Sequence, residues 1–273
     1  MKEFELYLLE RELSTETIKK YTHDVNFFLL WQNGQGKKLT RETACEWKVF
    51  LSSQNHAPST INAALAAFNH YAMFVGKPEC KLKYVKAQKK IFLESEKMLT
   101  RREYKRLVKC AKQKANTRLA MIIETIGSTG MRVSELAYIT VEALITGNIQ
   151  IQLKGKIRTI LLSHKLCSKL RAYAKKQGIE AGAIFITKKG TPISRKQIWC
   201  EMKKLCDLAG ILESKVFPHN LRHLFARVFY EKNGDLVELA DILGHSNVET
   251  TRIYLRKNSQ IHQKKLEQLH MLC

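Results

Sequence analysis

Apolar residues recur at helical spacing through most of this 273-residue chain, in short stripes cut by glycine and proline. Phe4 to Leu9 form one short apolar stretch. After Ser14 and Thr15, which suit a helix cap, Ile18, Tyr21, Val25 and Phe28 fall on one face. Gly34 and Gly36 break that stripe. Ala44, Trp47 and Leu51 make a third behind Thr40. Pro58-Ser59-Thr60 opens a fourth carrying Ile61, Leu65, Phe68 and Ala72, which Gly76-Lys77-Pro78 ends. Short amphipathic helices must bury their stripes against one another, so the pattern predicts a four-helix bundle over residues 1–76.

Residues 77–97 have no clear helical period and are rich in lysine, which reads as a basic interdomain linker. A second domain, 98–273, opens at Leu99. Thr100 and Glu103 fit a capping box for a helix to about Ala111, and another helix covers Leu119 to Ile126. Gly127-Ser128-Thr129-Gly130 is a sharp break, and a helix starting at Met131 puts Arg132 near its N-terminus, where backbone N–H groups favour an anion. Ile149, Ile151 and Leu153 alternate with Gln150 and Gln152, a strand period. Lys154-Gly155-Lys156 makes a turn, and Ile157 to Leu162 returns. A helix follows over Leu166 to Lys176. Phe185-Ile186 with Thr191-Pro192-Ile193 suggests a third short strand and a turn. Ile198, Met202 and Leu205 stripe the next helix, and the helix around His219 ends near Gly234. Asp235 and Glu238 cap a helix from Leu236 to Leu243 that delivers Gly244-His245, and the segment from Asn247 carries Tyr254. An amphipathic tail closes the sequence, with Ile261, Leu266 and Leu269 on one side and Lys264 and Lys265 on the other.

The charge narrows the partner. Lys and Arg total 47 against 25 Asp and Glu, a net charge of +22. Most of the excess lies after residue 97. Such a balance points to a polyanion, with nucleic acid favoured over a membrane surface. Lys19, Lys20, Lys37, Lys38 and Arg41 suit a phosphate backbone, and equally suit an ordinary solvated face. Seven cysteines form no Cys-x-x-Cys pair, which argues against a disulfide framework or a zinc site and for a reducing cytosol. The acidic start Met1-Lys2-Glu3-Phe4-Glu5 is unlike a signal peptide, so the expected location is cytoplasmic. There is no Gly-x-x-x-x-Gly-Lys-[Ser/Thr] loop and no cluster of carboxylates for Mg²⁺, so no cofactor and no metal are expected.

The chemistry gathers between Pro218 and Tyr254. His219 and Arg222 sit one helical turn apart; Leu243-Gly244-His245 and Tyr254 follow. Arg grips phosphate with a planar fork, His moves a proton near neutral pH, and a Tyr oxygen can be a covalent nucleophile. Together they suit attack on a phosphodiester.

The order His-x-x-Arg, Leu-Gly-His, Tyr resembles the signature of the tyrosine recombinases, the phage integrase family. Thr129-Gly130-Met131-Arg132-Val133-Ser134-Glu135-Leu136 resembles that family's box around its first catalytic Arg. The resemblance implies a mainly α fold: an N-terminal four-helix core-binding bundle, then an α-helical catalytic domain with a small antiparallel β-sheet, the two closing on a DNA duplex. It further implies that Arg132 and Arg222 hold the scissile phosphate and Tyr254 attacks it, giving a 3′-phosphotyrosyl link. A hairpin lysine, Lys154 by register and otherwise Lys156, protonates the leaving 5′ oxygen. His219 assists proton movement and His245 bonds the phosphate. Because the link stores the phosphodiester energy, religation needs no ATP.

The same likeness predicts a tail helix passed to a neighbouring protomer, building a homo-tetramer on paired half-sites of double-stranded DNA. The chain starts almost at its first helix, so the extra arm-binding domain of the larger phage integrases is not expected. Arg256 stands where many relatives have His, and His223 is expected to pack or support rather than react. Two other readings stay open, a type IB topoisomerase-like nicking-closing enzyme and a non-catalytic DNA-binding module on the same scaffold. Integration of a mobile element and resolution of DNA dimers fit equally well.

Overall fold

Side-chain caps set where the helices begin. Ser14 and Thr40 accept hydrogen bonds from Thr17 N and Thr43 N, each satisfying a donor that the first helical turn leaves unpaired. The computed structural model describes residues 1–86, 98–153, 156–245, 247–252 and 254. The chain divides into two compact units, Met1–Lys89 and Lys90–Cys273.

The first unit holds α1 (Lys2–Glu10), α2 (Thr15–Gly34), α3 (Arg41–Ser53) and α4 (Pro58–Phe74), with Pro58 in the first turn of α4, where its missing N–H costs nothing. Phe28, Trp47, Leu65 and Phe68 fill one part of the core, and Phe4, Leu8 and Val25 another. Phe28 meets Trp47 and Phe68 edge to face at centroid distances of 5.4 and 4.8 Å, a favoured aromatic arrangement.

Part of the expected linker belongs to this unit. A 3₁₀ turn over Pro78–Cys80 buries Cys80, and Leu82 is buried after it. The Asn69 amide pairs with both the N–H and the carbonyl of Leu82, at 2.8 and 3.0 Å, and Asn62 does the same to Val85, at 2.7 and 3.0 Å. Two asparagines on α4 thus fasten an extended strip along the helix. Lysines crowd that strip and hide its two apolar anchors from a search for periodicity. The rest of the expected linker, residues 87–97, lies outside the described residues.

The basic face of this unit is partly spoken for. Arg41 donates to the carbonyls of Glu79 and Lys81, Lys20 pairs with Asp24 at 2.5 Å, and Lys37 pairs with Glu46 at 2.6 Å. Arg41 is therefore a brace for the 78–85 strip. Exposed pairs of the other kind are worth only about 0–1 kcal/mol, so Lys20 and Lys37 can exchange a carboxylate for a phosphate at little cost.

The second unit is built around α6 (Thr117–Thr129), whose Leu119, Ile122, Ile123 and Ile126 are buried. It packs against α5 (Arg101–Gln113), α8 (His164–Lys176) and α11 (Pro218–Asn233). Thr100 and Glu103 form the predicted capping box. Among the described residues the further α-helices are α7 (Val141–Thr146), which the sequence did not disclose, α9 (Arg195–Lys203), α10 (Cys206–Ala209), α12 (Leu236–Leu243) and α13 (Val248–Arg252). Strands β1 (Asn148–Leu153) and β2 (Lys156–Leu161) pair antiparallel, with Ile151 opposite Arg158 and Leu153 opposite Lys156. The architecture is mainly α with one small antiparallel sheet, as the sequence predicts.

Three local expectations change. The helix does not break at Gly127: α6 runs on to Thr129 and stops at Gly130. A Cβ at Gly127 would lie 2.6 Å from the Tyr104 ring, so this glycine serves close packing inside the helix. Val133–Tyr138 is a 3₁₀ helix rather than the start of an α-helix. Ile186 and Pro192 form only an isolated bridge, because proline brings no N–H with which to extend a ladder. Among the described residues no helix is long and apolar enough to cross a membrane.

Candidate active site

The site grows from the C-terminus of α6. Gly130 closes the helix in the left-handed region, φ +64°, which turns its carbonyl outward. The next loop delivers Arg132, whose guanidinium faces solvent with the side chain 44% exposed. Glu135 stands behind it, 1% exposed. Its carboxylate accepts from Arg132 N at 2.6 Å and from Arg132 Nη1 at 3.0 Å. A buried carboxylate is tolerated only when paired, and Glu135 has a further partner in Arg158 Nη1 at 2.5 Å.

Helix α11 supplies His219, Arg222 and His223. Arg222 is buried, 1% exposed, yet held by acceptors on two other segments. Its Nη1 donates to Gly130 O at 2.7 Å, and its Nη2 donates to Leu243 O at 2.8 Å and lies 2.8 Å from His245 Nε2. Burial and the nearby arginine Arg132 lower the Arg222 pKa, while a hydrogen bond with the Tyr254 hydroxyl works the other way. A guanidinium still keeps its charge under such conditions.

Helix α12 ends in a glycine cap. Gly244, at φ +64°, donates to Asp241 O at 2.9 Å, and His245 N donates to Ala240 O at 2.9 Å. This reversal of the chain aims His245 back at Arg222. On the other side of the imidazole, Nδ1 lies 2.8 Å from Oγ1 of Thr251, a buried residue of α13. Tyr254 follows, 6% exposed, packed on Ala226, Leu239 and Leu243.

Three imidazoles surround the phenol. Ring centroids of His223, His245 and His219 lie 4.3, 5.6 and 5.8 Å from that of Tyr254. All three histidines are pushed toward the neutral form, chiefly by desolvation and then by neighbouring cations. His223 and His245 fall to about 4, and His219 shifts in the same direction. The arrangement is a cationic cluster with neutral bases around a phenol. Such a set can bind a phosphate, stabilise added negative charge and host a nucleophilic oxygen.

Of the residues singled out in the sequence, the structure brings Arg132, His219, Arg222, His245 and Tyr254 together. Lys154 lies outside the described residues. The alternative, Lys156, is the first residue of β2, so it belongs to the strand rather than to the turn. Sequence reasoning missed Glu135, Arg158 and Thr251 as parts of this site. Glu135 was visible inside the Arg132 motif but carried no role there. Arg158 and Thr251 offered no signal at all, since their partners are remote or masked by ordinary helix-forming neighbours.

A model of the phage integrase family matches residues 97–260, more than half of the chain. The tyrosine recombinase XerA of Pyrococcus furiosus is 28% identical over an alignment covering 100% of this chain and 94% of that protein. Among solved structures, XerH recombinase bound to its difH substrate before cleavage matches with a TM-score of 0.71 at 21% identity, covering 91% of this chain and 78% of that one. A lambda integrase dimer bound to a core site matches with a TM-score of 0.72 at 15% identity, covering 95% of each chain.

Proposed function

The chain belongs to the phage integrase family, and on that premise we propose that it is a site-specific DNA recombinase of the tyrosine type. The observation that carries this is the buried Arg222, 2.8 Å from His245 Nε2, beside a Tyr254 ring that lies within 5.8 Å of the His219, His223 and His245 rings, centroid to centroid. The guanidiniums of Arg222 and Arg132 would hold the non-bridging oxygens of the scissile phosphate and stabilise the pentavalent transition state. The Tyr254 oxygen attacks phosphorus as the bond to the 5′ oxygen breaks. The phenol proton passes toward His219, and Lys154 gives a proton to the departing oxygen. The products are a 3′-phosphotyrosyl link and a free 5′ hydroxyl, and attack by a second 5′ hydroxyl reverses the step with no nucleotide consumed. His245 would donate a hydrogen bond to the phosphate once its Nε2 has left Arg222 and gained a proton.

Recombination needs two cuts on each duplex, so we place four copies on two DNA sites, each a pair of half-sites, acting in the cytoplasm. The tail, 259–270, which would join neighbouring copies, lies outside the described residues. Deleting 259–273 should leave single half-site binding nearly intact and abolish cooperative filling of paired half-sites; a truncated chain that fills paired half-sites as cooperatively as the intact one would overturn this.

The test is a nicked suicide duplex carrying a half-site selected from random DNA by binding to the chain. The intact protein should form a covalent adduct in excess EDTA, and Tyr254→Phe should bind the duplex without forming one. An adduct of undiminished yield from the phenylalanine variant would remove Tyr254 as nucleophile. Strict dependence on added Mg²⁺ would favour a carboxylate–metal nuclease instead.

A further inference from the structure

Arg158 holds no place in the chemistry above, yet it touches two of the segments that deliver it. It stands on β2 with its side chain 12% exposed, which is unusual for an arginine in a two-stranded hairpin. Nη1 donates to the buried Glu135 carboxylate at 2.5 Å, the same carboxylate that accepts from the backbone and the guanidinium of Arg132. Nη2 donates to Ile242 O at 3.1 Å, one of the last-turn carbonyls that α12 cannot pair internally. The stem passes directly beneath Gly244, where an added Cβ would fall 2.4 Å from both Cδ and Nε. Arg222 grips the neighbouring carbonyl, Leu243 O, from α11. Two guanidiniums, Arg222 buried and Arg158 partly buried, therefore hold the turn before His245, and Arg158 also fixes the carboxylate behind Arg132.

We propose that Arg158 is a positioning residue for DNA cleavage, acting through Glu135 on Arg132 and through the Ile242–Gly244 turn on His245. The assignment rests on the recombinase reading. It places the effect on the phosphate-stabilising side of the reaction, separate from protonation of the leaving group. Lysine cannot substitute, because a point ammonium cannot span a carboxylate and a carbonyl as the planar fork does.

Arg158→Lys and Arg158→Met test this. Lysine keeps a cation beside Glu135, and methionine keeps the stem beneath Gly244. Each is compared with the intact chain for half-site affinity, thermal midpoint and single-turnover adduct formation. The suicide duplex is used in two forms, with an ordinary 5′-bridging oxygen and with a 5′-bridging sulfur, which leaves without protonation. The expected result for Arg158→Lys is half-site affinity within about threefold and adduct formation slowed at least about tenfold on both substrates, a loss of transition-state stabilisation of at least about 1.4 kcal/mol. Undiminished cleavage overturns the proposal. So does full rescue by sulfur, which would route Arg158 through the hairpin acid, and so does a loss of binding as large as the loss of rate. Failure of both variants to fold would make Arg158 a stability residue and overturn it equally. If the intact chain itself gives no adduct, the recombinase reading falls first.

Discussion

Nη2 of Arg222 lies 2.8 Å from Nε2 of His245, and that contact decides where the imidazole proton sits. A guanidinium only donates, so Nε2 must present its lone pair. The proton is then on Nδ1 and is donated to Thr251 Oγ1 at 2.8 Å. The ring is neutral, consistent with a pKa lowered to about 4 by burial and by Arg222, Arg132 and Arg158. In this form His245 cannot donate to a phosphate. A phosphate arriving at Arg222 would have to displace Nε2, which could then donate only after taking up a proton or exchanging tautomers.

The tautomer can be read directly. Imidazole ¹⁵N spectra of the DNA-free protein at pH 7 should show His245 protonated at Nδ1 and bare at Nε2; a doubly protonated ring would contradict the hydrogen-bond pattern. Thr251→Val removes the acceptor and leaves a buried N–H unpaired, a penalty of about 1–3 kcal/mol. We expect a lower thermal midpoint and mixed tautomers in that variant.

Acid should weaken the fold through His223. Desolvation is the main cause of its fall from 6.5 to about 4, followed by the nearby His219, Arg222 and Arg227. A folded-state pKa below the unfolded one means that the unfolded chain binds more protons in the interval between them. The contribution is therefore whole above about pH 6.5 and is lost as pH falls toward 4. Replacing His223 with Phe should make the thermal midpoint less sensitive across that window. Parallel curves for the two proteins from pH 7.5 to pH 5 would show that His223 does not titrate this way.

Gly130 leaves no room for a side chain. Its φ of +64° disfavours any side chain, and a Cβ there would lie 2.3 Å from Phe225 Cδ1 and 2.8 Å from Leu243 Cδ2. Backbone strain and overpacking together predict a loss of about 2–4 kcal/mol for Gly130→Ala. Its carbonyl anchors Arg222 at 2.7 Å, so cleavage should fall further than the stability loss alone explains. A variant as stable and as active as the parent would mean that the turn relaxes freely.

What the sequence discloses, and what it hides, follows from range. His219 and Arg222 share a face because three residues make nearly one turn, and the capped helix ending at Leu243 predicts where Gly244-His245 is delivered. The caps at Ser14, Thr40 and Thr100 are also local, and each is where its residue type implies. The 78–85 strip was illegible because Asn62 and Asn69 hold it by backbone pairing, which leaves no period in the strip itself. Arg158 was illegible for the same reason. A lone arginine in a hairpin reads as a solvated charge until Glu135 and Ile242, remote in sequence, close over it. Gly127 misled because a glycine required for close packing looks the same as one that ends a helix.

The hairpin acid is the catalytic role the sequence places least firmly. The pairing of Leu153 with Lys156 ends the described ladder on either side of Lys154 and makes Lys156 a strand residue. Lys154 lies outside the described residues, so the choice between the two lysines rests on their register after Arg132, which favours Lys154. The 5′ oxygen is a poor leaving group because its conjugate acid is weak, and that is the burden a proton donor lifts. Sulfur at the same position leaves as a thiolate without help. Lys154→Ala should therefore cut the ordinary duplex at least about 100-fold more slowly, within the range expected for a lost general acid. On the 5′-bridging sulfur duplex it should cut at nearly the rate of the intact chain. Lys156→Ala should lose far less on the ordinary duplex and gain nothing from sulfur. The reverse pattern, with sulfur rescuing the Lys156 variant and not the Lys154 variant, would move the acid onto the strand.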